Sequence, residues 1–175
     1  NDYKAIMFGS IGTLVETSEI QRKAFNQAFS EAGLDWIWAP DEYNTMLKKS
    51  GGINRINDYA TFRGIGVNAH ELHTRKTEIF DNMMNEETTT LRPGVVNLIS
   101  YAIDNDIQLG FVTSTSEKNI DAIFMSLNGQ IKRSDFNFIG NNKIISQPKP
   151  NSEIYLKALS ELNLCADECI AIEDT

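Results

Sequence analysis

From residue 91 to residue 174 the sequence alternates short, β-rich apolar runs with helical stretches, and this alternation is the feature that most restricts the fold. Leu91-Arg92-Pro93-Gly94 sets up a helix start, with Val95, Ile99 and Ala102 on one face. Residues 107–112 read as a strand, and 116–127 as a helix through Ile120, Ile123, Phe124 and Leu127. Residues 136–139 read as a short strand, 152–162 as a helix through Tyr155, Ala158, Leu159 and Leu162, and 168–172 as a strand that ends in Glu173-Asp174. Strands separated by helices of this length pair in parallel through right-handed crossovers, so the expected fold class is α/β, a Rossmann-like parallel sheet covered on both faces.

The first strand of that sheet lies at the start of the chain, where the apolar run Ala5 to Phe8 breaks into Gly9-Ser10-Ile11-Gly12-Thr13-Leu14. The residues that follow are helical. Residues 18–33 place Phe25, Ala28, Phe29 and Ala32 on one face, with Gly33 as a stop. Asp41 caps a segment running towards residue 49, the Gly51-Gly52 pair turns into another through residue 62, and Asn68 opens a long one through residue 86. No convincing strand appears between residues 16 and 90, so the expected organisation is a core of residues 1–15 and 91–175 with an all-helical domain of residues 16–90 inserted after strand one. The chain stops one residue after Asp174 with no helix to cover the last strand, which predicts C-terminal truncation.

Bulk properties exclude several function classes. A net charge of −8 with no basic stripe argues against nucleic acid as a partner. No apolar run approaches the ~20 residues that span a bilayer, and the first residues show no leader pattern, so the expectation is a cytoplasmic protein without a membrane partner. Cys165 and Cys169 make neither a disulfide framework nor a zinc set.

Ligands of open parallel sheets collect at the carboxyl ends of the strands, where three polar clusters fall: Gly9 to Thr13, Thr113-Ser114-Thr115 and Glu173-Asp174. The hydroxyls and N–H groups at Thr113 and Ser114 suit a phosphoryl oxygen, although a cluster of helix caps has the same composition. Lys149 stands between two prolines that stiffen its approach to the same edge, or is a solvated lysine in a Pro-rich turn. Glu173 and Asp174 suit a magnesium ion, or simply open a polar loop.

Taken in order, a strand ending in x-G-T-L, an inserted helical block, a strand ending in Thr, a Lys before a helix and a strand ending in Glu-Asp resemble the four-motif layout of the haloacid dehalogenase superfamily, and the resemblance spans the whole chain. The stretches "VETSEIQRKAFNQAFSEAGLDWIWAPDEY", "GGINRI" and "LRPGV" are similar to the CbbY-like branch, relatives of β-phosphoglucomutase that act as phosphatases on phosphorylated sugars. The resemblance implies that the helical block is a cap domain, that Thr113 and the Ser114 amide hold the phosphoryl group, that Lys149 neutralises it, and that Asp174, helped by Glu173, ligates Mg2+. It also implies a small phosphorylated sugar or inorganic phosphate as partner.

The family's first motif reads D-x-D-G-T, in which the first Asp attacks phosphorus and the second shuttles the leaving-group proton. Gly9 and Ile11 stand at those positions here. In the implied cap, a position usually occupied by His, five residues after Glu16, is Gln21, and the Lys common after the Gly pair is Ile53. Arg55 and Lys76 remain to meet a distal phosphate, unless they are only a solvated face.

Enzymes supply up to ~10²¹-fold for phosphate-monoester hydrolysis, whereas positioning supplies about 10⁵- to 10⁸-fold, so the retained cradle alone does not restore the reaction. Ser10 is the nearest hydroxyl, but strand periodicity points it away from residues 9 and 11 and leaves it without an activating base. Loss of the first Asp also leaves Lys149 without its anionic partner and weakens any magnesium site, and a bound phosphate would suit the place so vacated. Three functions follow: a CbbY-type hydrolase with impaired phosphoaspartyl chemistry, a non-catalytic binder of a phosphorylated metabolite, or a protein-interaction module.

Overall fold

The computed structural model describes residues 3–49, 51–86 and 89–174, which divide into two compact units. One comprises residues up to Glu16 together with those from 89 to Asp174 and carries the sheet; the other, Thr17–Glu86, is helical.

The sheet has four parallel strands, β1 (Ala5–Phe8), β2 (Gln108–Val112), β3 (Phe138–Gly140) and β4 (Cys169–Ile172), in the spatial order β3-β2-β1-β4. β1 is central and buried along its whole length, as an apolar run without alternation requires when both faces are covered. Ala5 and Met7 pack with Val112, Phe138 and the α8 (Glu153–Leu162) residues Ile154, Ala158 and Leu162. On the opposite face Phe8 and Phe111, paired in register, meet the rings of Phe136 and Phe124. The register also pairs Phe8 with Ile172, so β1, β2 and β4 end side by side, and residues 9, 113 and 173 leave the sheet from one edge.

After β1 the structure adds a helical turn that the loop-like sequence conceals: α1 (Ile11–Leu14), capped by Ser10, whose Oγ accepts the Thr13 N–H at 3.1 Å. α6 (Val95–Asp104) and α7 (Glu117–Ser126) occupy the expected stretches, with Ser116 capping α7 through the Asn119 N–H. Strand β3 is displaced two residues from its expected start, because residues 133–135 form a 3₁₀ turn and Phe136 serves the core from outside the ladder.

The helical unit contains α2 (Ser18–Glu31), α3 (Pro40–Met46), α4 (Gly52–Arg63) and α5 (Ala69–Glu86). Gly33 and Gly64 end α2 and α4 with φ of +73° and +66°, a conformation that favours glycine. Its core is aromatic, with Phe25, Phe29, Trp36, Trp38 and Tyr43 buried together. The Asn26 side chain fixes the connection from α2 by accepting the Trp38 N–H at 2.8 Å and donating to the Trp38 carbonyl at 3.0 Å. Among the described residues, no helix is long and apolar enough to cross a membrane.

Candidate functional site

The buried strand β1 delivers Gly9 to the sheet edge, where its N–H donates to the Ile172 carbonyl at 2.9 Å and extends the pairing with β4 by one residue. That pairing brings Glu173 alongside Gly9. A Cβ added at residue 9 would lie 2.0–2.2 Å from the Glu173 carboxyl atoms, so the carboxylate occupies space that any side chain at this position would claim. The Lys149 ammonium donates to the Gly9 carbonyl and to Glu173 Oε1, the latter at 2.6 Å. Tyr155, on the first turns of α8, donates its hydroxyl to the same Glu173 oxygen and lays its ring 4.9 Å from the ammonium. Burial and then the neighbouring carboxylate push the Tyr155 phenol upward, so it remains a donor at neutral pH.

This arrangement corrects one expectation. Lys149 has an anionic partner, because Glu173 supplies the carboxylate that residue 9 lacks.

Ser10 also differs from its expected placement. As the cap of α1 it is not a strand residue, and its Oγ donates to Asp174 Oδ1 at 2.9 Å while lying 2.8 Å from Thr13 Oγ1. A hydroxyl that strand periodicity turns away from any base thus faces a carboxylate. Asp174 in turn stands over Gly12, with Oδ2 2.0 Å from where a Cβ would be. The Ile11 carbonyl accepts the Val15 N–H at 3.0 Å, and the Ile11 side chain offers no proton.

The two carboxylates that the resemblance assigns to Mg2+ are therefore committed to different partners, Glu173 to Lys149 and Tyr155, Asp174 to Ser10. Among the described residues no three His, Cys, Asp or Glu side chains converge in a metal-binding group. A magnesium ion takes one or two carboxylates and completes its octahedron with water and substrate oxygens, and here both carboxylates are already hydrogen-bonded within the chain.

At the end of β2, Thr113 is buried and its Oγ1 accepts the Thr115 N–H at 3.1 Å, while Asn119 donates to Thr115 Oγ1 at 2.6 Å. The turn presents Ser114, half-buried, at the sheet edge that also carries Gly9 and Glu173. Arg92 fastens the motif-one loop from outside: its backbone N–H donates to the Leu14 carbonyl at 2.8 Å and its Nε to the Gly12 carbonyl. Glu16 lies 3.0 Å from the Arg92 guanidinium and belongs to this brace.

The remaining candidates form a separate cluster inside the helical unit. Lys76 of α5 is buried, donates to the Gln21 Oε1 and sits 4.6 Å and 5.3 Å from the centroids of Phe25 and Phe80. Burial, reinforced by Arg55, lowers its pKa to about 7. Arg55 stacks over Tyr43 at 5.5 Å and donates to the Lys49 carbonyl at 3.2 Å, while its Nε, also buried, has no hydrogen-bond partner among the described residues. His73 completes the cluster; burial first, then Lys76, His70 and Arg55, lower its pKa to about 4.

Sequence reasoning missed Tyr155, read only as an apolar helix position, together with Arg92 and His73. Only the spacing of Tyr155 from Lys149, which carries it onto the first turns of α8, bears a signal of its role.

A family model described as haloacid dehalogenase-like hydrolase matches residues 6–175. The chain is 35% identical over 175 residues to Protein CbbY of Cereibacter sphaeroides, spanning 98% of this chain and 76% of that relative. Two solved structures of CbbY from Rhodobacter sphaeroides align with 35% identity over 99% of this chain and 78% of theirs. One, a mutant in complex with xylulose-(1,5)bisphosphate, gives a TM-score of 0.79, and the other, in complex with phosphate, 0.80.

Proposed function

The chain belongs to the haloacid dehalogenase-like hydrolases of the CbbY type, and from that premise we propose that it binds a phosphorylated small molecule, with a phosphorylated sugar as the natural class, without turning it over through a phosphoaspartate. The observation that carries this reading is Gly9. The residue at the head of the central strand has no side chain, so no carboxylate of its own attacks phosphorus, and Ile11 supplies no acid or base to the leaving group. In the same place a cation remains: Lys149 is anchored to the Gly9 carbonyl, with the Thr113-Ser114 turn on the neighbouring strand end.

Binding is favoured over a purely structural remnant by the way these groups are held. Lys149 and the Thr113-Ser114 turn come from separate parts of the chain, and Lys149 and Thr113 are each fixed by a hydrogen bond near one edge of the sheet. A phosphate placed there meets an ammonium, a hydroxyl and backbone N–H groups, the donors that hold such anions elsewhere. The helical unit takes the role of the cap, and Arg55 and Lys76 are its candidates for a second anionic group. Binding of Mg2+ is weakened, because its two remaining carboxylates are engaged by Lys149 and Ser10. The bound complexes of CbbY with phosphate and with a sugar bisphosphate support the choice of ligand class.

Isothermal titration with inorganic phosphate and with a panel of sugar mono- and bisphosphates tests the proposal. Binding that is lost in Lys149→Ala is the expected result. A protein that binds none of them, or binds them equally without the Lys149 ammonium, contradicts it.

A further inference from the structure

We propose that Glu173 is a built-in competitor for the anion site, so that Glu173, held by Tyr155, sets how tightly a phosphate is bound at Lys149. The inference rests on the reading of Lys149 as an anion-binding residue, and adds what determines its affinity.

The Lys149 ammonium is already neutralised from within the chain. It donates to Glu173 Oε1 at 2.6 Å and to the Gly9 carbonyl, and the Tyr155 ring covers it at 4.9 Å. An incoming phosphate has to replace the Glu173 carboxylate, since two anions on one ammonium repel each other.

The pair depends on the glycine. Glu173 Cδ, Oε1 and Oε2 lie 2.0, 2.1 and 2.2 Å from the position a Cβ would take at residue 9, closer than real side chains approach one another. Any other residue there expels the carboxylate from its present place, and the absence of a motif-one acid is what admits it. The backbone leaves little freedom in this, because the pairing of Phe8 with Ile172 sets residues 9 and 173 side by side. The competitor is nonetheless displaceable: the Glu173 and Lys149 side chains retain 33% and 22% of their exposure, so the carboxylate has a route to solvent. A dianionic phosphate, with more charge than the carboxylate, wins this exchange more readily than a monoanion.

The test is a titration of the full chain with inorganic phosphate in metal-free buffer, which removes any contribution of Glu173 to metal binding. It is run on the protein itself and on Glu173→Gln, Gly9→Ala, the two combined, and Lys149→Ala. Both single changes are expected to tighten phosphate binding about 2- to 10-fold, the first by removing the competing charge and the second by displacing it. Because they act on the same contact, the combined variant binds no more tightly than the better single one. Lys149→Ala abolishes binding in every background. Phosphate binding that depends on Lys149 but is unchanged or weakened by both Glu173→Gln and Gly9→Ala overturns the inference while leaving the anion site intact. Gains that add in the combined variant overturn it as well, because they show two independent effects. No phosphate binding in any variant, Glu173→Gln included, overturns the anion site and this inference with it.

Discussion

Gly9 and Lys76 show how a single residue decides what its surroundings can do. At Gly9 the missing side chain leaves room for a carboxylate from the end of another strand to reach the Lys149 ammonium, and the charge lost in one place returns in another. At Lys76 an ammonium is enclosed by Phe25 and Phe80, and burial lowers its pKa to about 7 from the ordinary 10.5. Below pH 7 the lysine is charged in both folded and unfolded chains and the folded state bears the full cost of burying it; as pH rises from about 7 to 10.5 the folded group is neutral while the unfolded one still holds its proton, and stability increases. Lys76→Met is therefore expected to stabilise the helical unit by on the order of 1–3 kcal/mol at pH 6, with the gain shrinking towards pH 10. His73 acts in the same direction at lower pH: with its pKa lowered from 6.5 to about 4, the helical unit loses stability as pH falls through that interval, and His73→Gln flattens the loss. Both tryptophans, Trp36 and Trp38, are buried in this unit, so urea unfolding followed by their fluorescence at a series of pH values reads these effects directly.

At the scale of elements, the alternation of strands and helices after residue 91 was legible because each carries its own periodicity, period two or 3.6, in a single stretch of sequence. The helices from Ser18 to Glu86 were legible for the same reason, with Gly33 stopping α2 in a left-handed conformation, except that α3 starts at Pro40 after Ala39 and ends at Met46, so Asp41 lies inside its first turn and is not its cap. The helical turn of α1 was not, because it depends on one capping contact from Ser10 within a run of loop-forming residues. The site was legible as a set of strand ends, but the Glu173–Lys149–Tyr155 contact was hidden, since it joins residues from β4, a proline-rich loop and α8 whose approach only the assembled sheet fixes. Two substitutions test the elements. Trp38→Ala empties the centre of the aromatic cluster and is expected to cost about 3–5 kcal/mol. Asn26→Ala leaves the Trp38 N–H without its partner, while the Trp38 carbonyl keeps the bond from Arg22, and is expected to cost about 1–3 kcal/mol, measured by the same fluorescence-detected unfolding.

For the whole molecule, the parallel sheet is that of the haloacid dehalogenase type, and the functional question reduces to what this scaffold does when its first motif contributes no acid. The proposed account separates two properties that the family joins, holding a phosphate and cleaving its ester. The most direct measurement is phosphate release in the presence of magnesium from a panel of sugar mono- and bisphosphates, comparing the protein with the combined Gly9→Asp and Ile11→Asp variant. The new carboxylate at residue 9 displaces the flexible end of Glu173 and regains Lys149 as its partner. The account predicts no release above the uncatalysed rate from the protein itself, and measurable turnover from the double variant. Enzyme-like turnover by the unaltered protein would contradict it and direct attention to Ser10, whose hydroxyl already faces the Asp174 carboxylate.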